Sequence, residues 1–161
     1  MSSYSLRAIK PTDATWIFDA CQDEQIQYWT TVPKPYLMEH AVGFDNGKTS
    51  EKKVWVIEDS SKKEVGVISI HGVDENGNAE IGYWVAVWGR GVGATKDAII
   101  SLAEYAKTQS DIKSIQATIS DLNIASQAVA IAAGLARAEA AAKTCPAGGV
   151  ETTATYYRKA L

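Results

Sequence analysis

The stretch from Ala79 to Ala106 constrains this chain more than any other part of it. AEIGYWVAV has the aromatic and β-branched character of a strand, WGRGVGAT is a glycine-rich turn, and KDAIISLAEYA carries apolar side chains at helical spacing. A strand that turns on glycines into a helix brings unpaired backbone N–H groups together at the positive end of the helix dipole. Gly89, Gly91 and Gly93 read as positions where the backbone takes positive φ or passes close to a ligand. The segment predicts an anion site built from main chain, with no metal.

Spacing narrows the choice of anion. GRGVG lacks the third glycine of the dinucleotide pattern G-x-G-x-x-G, and no glycine-lysine pair followed by serine or threonine marks a nucleotide phosphate loop. The run Trp88-Gly89-Arg90-Gly91-Val92-Gly93 instead resembles the acetyl-CoA signature of the GNAT N-acetyltransferases: Gln or Arg, two residues, Gly, one residue, then Gly or Ala. Trp88 stands where Gln or Arg is usual. WGRG following EIGYW is similar to the RimJ/RimL-like branch, which acetylates protein N-termini. A second register, Arg90 to Thr95, keeps the arginine but ends on threonine, so the first is preferred.

A chain of 161 residues, 46% hydrophobic and 22% charged, suits one well-buried domain over residues 1–161. MSSYSLRAIK has no apolar signal core and no run is long enough to span a bilayer, so a cytoplasmic protein is expected, without a membrane partner. Cys21 and Cys145 fit neither a disulfide framework nor a zinc site, and nothing beside them in sequence would activate a thiol. A net charge of −3 gives no nucleic-acid footprint and weakly favours a cationic amine. No heptad marks an obligate interface, so a monomer or weak homodimer is expected.

Taken in order, Ser5 to Ile9 reads as a strand, and Pro11-Thr12-Asp13 starts a helix with Trp16, Ile17 and Ala20 on one face. Asp23 to Pro35 reads as an irregular polar-aromatic wall, and Tyr36 to Phe44 as a second short helix stopped by Asp45-Asn46-Gly47. Val54 to Ile57 and Val65 to Ile70 make a hairpin, and the turn Asp74 to Asn78 leads into the EIGYW strand, giving three antiparallel strands. Ile112 to Ile119 alternates as a strand that should lie parallel to EIGYW after the long helix. Asn123 caps a helix carrying Ala125, Ala128, Val129 and Ala132, Gly134 ends it, and a glycine-turned hairpin finishes the chain. Trp16, Trp29, Tyr36 and Trp55 read as core and groove lining.

The resemblance implies a mixed α+β fold: a central, mostly antiparallel twisted sheet with one splayed parallel strand pair, flanked by helices. It implies acetyl-CoA as cosubstrate, no metal, and an amine acceptor, either a peptide N-terminus or a small molecule, attacking the thioester directly. Arg90, Gly91, Val92, Gly93 and Ala94 would hold the pyrophosphate, and the backbone of Val85, Ala86 and Val87 the pantetheine. Asn123 and Ser126 match the family's N-x-x-S segment. The family's acid tyrosine, seven residues after the asparagine, is replaced by Ala130, and Ser126 matches the serine that the resemblance to the RimL-like branch implies as the thiolate acid. Glu80 matches the family's general-base glutamate, acting through water, with His71 as the alternative base. Three classes stay open: an active N-acetyltransferase, a silent acetyl-CoA-binding or sensing module, and a non-enzymatic domain with a chance match.

Overall fold

The computed structural model describes residues 2–44 and 53–161, with the side chains of 139–142 left aside; the expected stop at Asp45-Asn46-Gly47 lies outside the described residues. Among the described residues seven strands run β1 Ser5–Ala8, β2 Lys53–Glu58, β3 Glu64–Val73, β4 Asn78–Val85, β5 Ser114–Ser120, β6 Ala136–Ala147 and β7 Val150–Ala160. Five α-helices lie between them in the described residues: α1 Ala14–Ala20, α2 Glu24–Trp29, α3 Met38–Phe44, α4 Ala94–Ala106 and α5 Ile124–Ala132. They form one sheet in the order β1-β2-β3-β4-β5-β7-β6. Every neighbouring pair is antiparallel except β4 and β5. This is the mixed fold that the sequence predicts.

Alternation along the strands sends side chains to two separate cores, one on each face. On one face Ile68, Ile81, Ile115 and Ile119 pack with Ile99, Leu102 and Ala103 of α4 and Ala130 of α5. The apolar stripe of α4 places Ile99 and Leu102 fully inside, and burial of each contributes roughly 1.5–3 kcal/mol. On the other face Trp84 packs against the smaller cluster of Ile17, Cys21, Ile26, Tyr36 and Ala41 from the N-terminal helices. Trp16 and Trp84 meet there at 5.7 Å between ring centroids. Trp55 belongs to the larger core, edge-on to Tyr105.

One expectation fails in this region. Residues 24–29, read as irregular wall, form α2, because Asp23 caps it by accepting from the N–H groups of Gln25 and Ile26. The prolines that suggested irregularity stand beyond its end, at positions 33 and 35.

The N-terminal arm is tied to the sheet by a buried ion pair. Asp13, 2% exposed, binds the Arg7 guanidinium through both oxygens at 2.8 Å and also accepts from the Lys10 N–H and the Trp16 indole. Arg7 reaches Glu58 of β2 as well. Burial alone would raise the Asp13 pKa, but Arg7 and the two N–H donors outweigh it and hold the carboxyl below its usual range. Asp13→Ala should therefore destabilise the protein by about 3 kcal/mol at neutral pH, because the guanidinium loses a fitted partner inside. In a chain of this length that lowers Tm by roughly 6–12 °C. Since the native pKa lies below the unfolded one, this stability is complete above pH ~4 and is lost as pH falls through the native value. Melting curves of parent and variant should converge in acid.

Candidate active site

The parallel pairing of β4 and β5 covers only Asn78 to Glu80 opposite Ser114 to Gln116; beyond it the strands part. A cleft of about 1210 Å³ opens in the gap, lined by both strands, the glycine turn, the start of α5, and α2. The main chain of β4 turns toward this gap at alternate residues. The N–H of Ala86 bonds to the carbonyl of Val65 on β3, so Trp84 and Gly82, in step with it, also face β3, while Tyr83 and Val85 present their amides to the cleft. Ala86 is the correction here: its carbonyl accepts from Gly89 and its amide is already taken, so its backbone serves the turn rather than a ligand. Val85 keeps its expected orientation, and Val87, 59% exposed, lies at the rim.

The glycine turn is built as an open cradle. Gly91 and Gly93 take φ of +74° and +86°, and a Cβ at either would meet no heavy atom within 4 Å. Gly89 does not take positive φ; it is needed because a Cβ there would come within 2.7 Å of the Val65 side chain. α4 starts at Ala94 with no side chain capping it. Among the described residues, no backbone bond engages the N–H groups of Gly91, Val92, Gly93, Ala94, Thr95 or Lys96. These donors suit a pyrophosphate in both number and sign. The Arg90 guanidinium points elsewhere, to Asp23 at 2.5 Å, which joins the cradle to the cap of α2. Arg90 and the backbone donors of α2 hold the Asp23 carboxyl low against the opposing effect of burial.

Side chains of β4 reach both faces of the sheet at the gap. Glu80 sits where the pairing ends and accepts from Gln116 Nε2 at 2.9 Å, Thr118 N–H at 3.0 Å and Thr118 Oγ1 at 2.6 Å. Gln116 is held in turn by Arg158, at 2.9 Å from its Nε. A carboxylate has about four acceptor positions, so one on Oε2 remains for a water or an amine. His71 is the extra residue of a β-bulge in β3, between Ile70 paired with Ile81 and Gly72 paired with Glu80. The bulge turns its imidazole into the cleft against Gly82, where any Cβ would fall 2.2 Å from Nε2.

On the opposite face Asn123 caps α5 by accepting from the Ser126 N–H at 3.1 Å. α5 closes as expected at Gly134, φ +90°, with the N–H groups of Gly134 and Leu135 returning to the carbonyls of Ile131 and Ala130. The Ser126 hydroxyl lies 2.9 Å from the phenol of Tyr83, a residue that motif reading passed over; its parity opposite Glu80 was the available signal. Burial raises the Tyr83 pKa, against the lowering effect of Ser126, so the phenol stays protonated at neutral pH. Cys145 also lines the cleft, but burial raises its pKa, and that of Cys21 is pushed up to about 12. Neither thiol is activated. Among the described residues no group of side chains could hold a metal ion.

The family model for the GNAT acetyltransferase domain matches residues 4–136, most of the chain. The chain belongs to the GNAT acetyltransferase family. No curated protein matches it at significant similarity. Solved structures share the fold: RimL, a ribosomal L7/L12 alpha-N-protein acetyltransferase in complex with coenzyme A, is 18% identical, with a TM-score of 0.87 over 100% of this chain and 96% of its own. The microcin C7 self-immunity acetyltransferase MccE, with acetyl-CoA and AMP, is 19% identical with a TM-score of 0.84, covering 100% of this chain and 94% of its own. The Vibrio cholerae spermidine N-acetyltransferase, with CoA and spermine, is 17% identical with a TM-score of 0.82, covering 99% and 96%.

As a GNAT enzyme the chain is an acetyl-CoA-dependent N-acyltransferase with an amine acceptor, and nothing in the match favours a silent module. Its cleft fits that cosubstrate: open donors at the cradle, strand amides along the gap, and a hydroxyl pair and a carboxylate on opposite faces.

Proposed function

We propose that this enzyme acetylates a primary amine held on the sheet face that carries Glu80 and His71, with the donor thioester lying in the gap between β4 and β5. The observation that supports this most is the division of chemistry along one strand: proton acceptors on one face, the Tyr83–Ser126 hydroxyls on the other. In this reading Glu80 takes the amine proton through a water at the open position on Oε2, and Ser126 gives one to the departing thiolate. Residues 90–94 hold the pyrophosphate with their backbone N–H groups, and Asn123 adds its amide NH₂ beside the pantetheine. The amides of Val85 and Val87 lie along the pantetheine path, and polarisation of the thioester carbonyl by a strand N–H supplies further rate.

A second assignment of the base, His71, is favoured by the bulge, since an imidazole titrates near neutral pH and here faces the same cleft.

The acceptor class follows from the wall. Gln25, Trp29 and Thr31 line the cleft from the α2 side, and Asp74 and Lys143 stand at the other side, a mixed and open border that suits a peptide N-terminus. RimL acts on a ribosomal protein and the Vibrio cholerae enzyme on spermidine, so both acceptor types belong in the test. A panel of N-terminal peptides, polyamines and aminoglycosides, followed by acetyl-dependent release of free thiol, should give turnover with peptides above the other amines. Turnover confined to polyamines would overturn the peptide assignment. We assign the protein to the cytoplasm, with no membrane or nucleic-acid partner. Two unactivated free thiols support this. Assembly as a monomer or weak homodimer is expected in sedimentation at micromolar concentration.

A further inference from the structure

Ala130 stands where the family places its acid tyrosine, and a serine alone is a poor substitute, because an aliphatic hydroxyl is a far weaker acid than a thiol. The structure brings a phenol to the same end of the cleft from the other side. Tyr83 Oη lies 2.9 Å from Ser126 Oγ, and both residues line the gap. The Tyr83 ring packs on the core cluster that contains Ala130, as does Val129. Ser126 is fixed by its own N–H bond to the Asn123 cap, so its hydroxyl has a set position at the start of α5. We propose that Tyr83 is the source of the proton that neutralises the departing thiolate, and that it delivers this proton through Ser126.

This rests on the reading of Ser126 as the hydroxyl beside the sulfur. The amine nitrogen forms the new C–N bond at the acetyl carbon, the C–S bond breaks, and its electron pair stays on sulfur. Sulfur takes the proton of Ser126 Oγ while Oγ takes that of Tyr83 Oη. The phenolate then regains, through water in the cleft, the proton that the amine gave up. No electron leaves or enters. A phenol, with an ordinary pKa of about 10, lies within reach of a thiol near 8.5, and burial keeps it in the donor form below that range. Tyr83 touches no reacting atom and acts through Ser126.

The test compares Tyr83→Phe, Ser126→Ala and the double variant by thiol release with saturating amine. Each single variant should lower kcat on the order of a hundredfold while the KM for acetyl-CoA stays within about twofold, and the double should be no slower than the slower single. Losses that multiply in the double variant would show two independent roles and overturn the proposal. Parental kcat in Tyr83→Phe, with Ser126→Ala slow, would overturn it and leave Ser126 as donor. Parental kcat in Ser126→Ala would remove both assignments. Fluorotyrosine at position 83 separates chemistry from packing, because it lowers the phenol pKa with little change of shape. The alkaline limb of the kcat profile should then move to lower pH; an unmoved limb would mean that Tyr83 only props Ser126.

Discussion

Gly91→Asp is expected to abolish the acetyl-CoA-dependent rise in melting temperature and, with it, turnover. A ligand at a hundred times its dissociation constant stabilises the folded state by about 2.7 kcal/mol, a shift of roughly 5–10 °C in a chain of this length. The variant places a carboxylate beside open N–H donors where the pyrophosphate is proposed to sit. Gly91→Asn is the control. Asparagine has almost the same shape and tolerates positive φ better than most residues, and a Cβ at this position meets nothing within 4 Å. Both variants share the backbone strain at φ +74°, so their difference isolates charge. Asn should keep a measurable shift and Asp none; an Asp variant that binds like the parent would move the pyrophosphate to another place in the fold.

Glu80→Gln is expected to lower kcat/KM on the order of a hundredfold near neutral pH, with most of the loss recovered in alkali, where the amine is already neutral. The surrounding bonds complicate this substitution in a useful way. Oε1 of a glutamine can still accept from both groups of Thr118, but its NH₂ would face the NH₂ of Gln116, whose own oxygen is pinned by Arg158. Two donors then confront each other, which costs about 1–3 kcal/mol of stability. Misplacement of β5 from that conflict would lower the rate at every pH, whereas loss of a base is rescued by alkali. His71→Ala is the opposing experiment, since it removes the imidazole from the bulge and leaves the Glu80 carboxylate in place. If the alkali-rescued loss appears there and not in Glu80→Gln, the base is His71.

Much of this arrangement is legible in the sequence because it depends on local chemistry. The strand, glycine turn and helix of 79–106 are each specified by neighbouring residues, and so are the Asn123 cap and the Gly134 stop. The parallel placement of β5 follows from a helix lying between two strands. What escapes is long-range or ambiguous. Asp23 followed by EQIQYW is a cap signal, but aromatic residues and nearby prolines hid it. The bulge at His71 depends on the register of two strands and leaves no mark in β3 alone. The Tyr83–Ser126 contact spans 43 positions and needs the whole crossover to form. Ala86 looks available in the sequence because nothing local says that Val65 and Gly89 will claim its amide and carbonyl.

Because Glu80 and Tyr83 lie on the same strand but an odd number of positions apart, the proposed division of labour between the two sides of the sheet is a parity. One residue inserted or removed between them would put the proposed acceptor and the proposed donor of protons on the same side, whatever the composition of the cleft. Loops around this enzyme can lengthen and its walls can change with the acceptor they serve, while the count from Glu80 to Tyr83 has to stay odd. For redesign toward a new amine, the free variables are α2 and the far hairpin, and the fixed one is the numbering of β4.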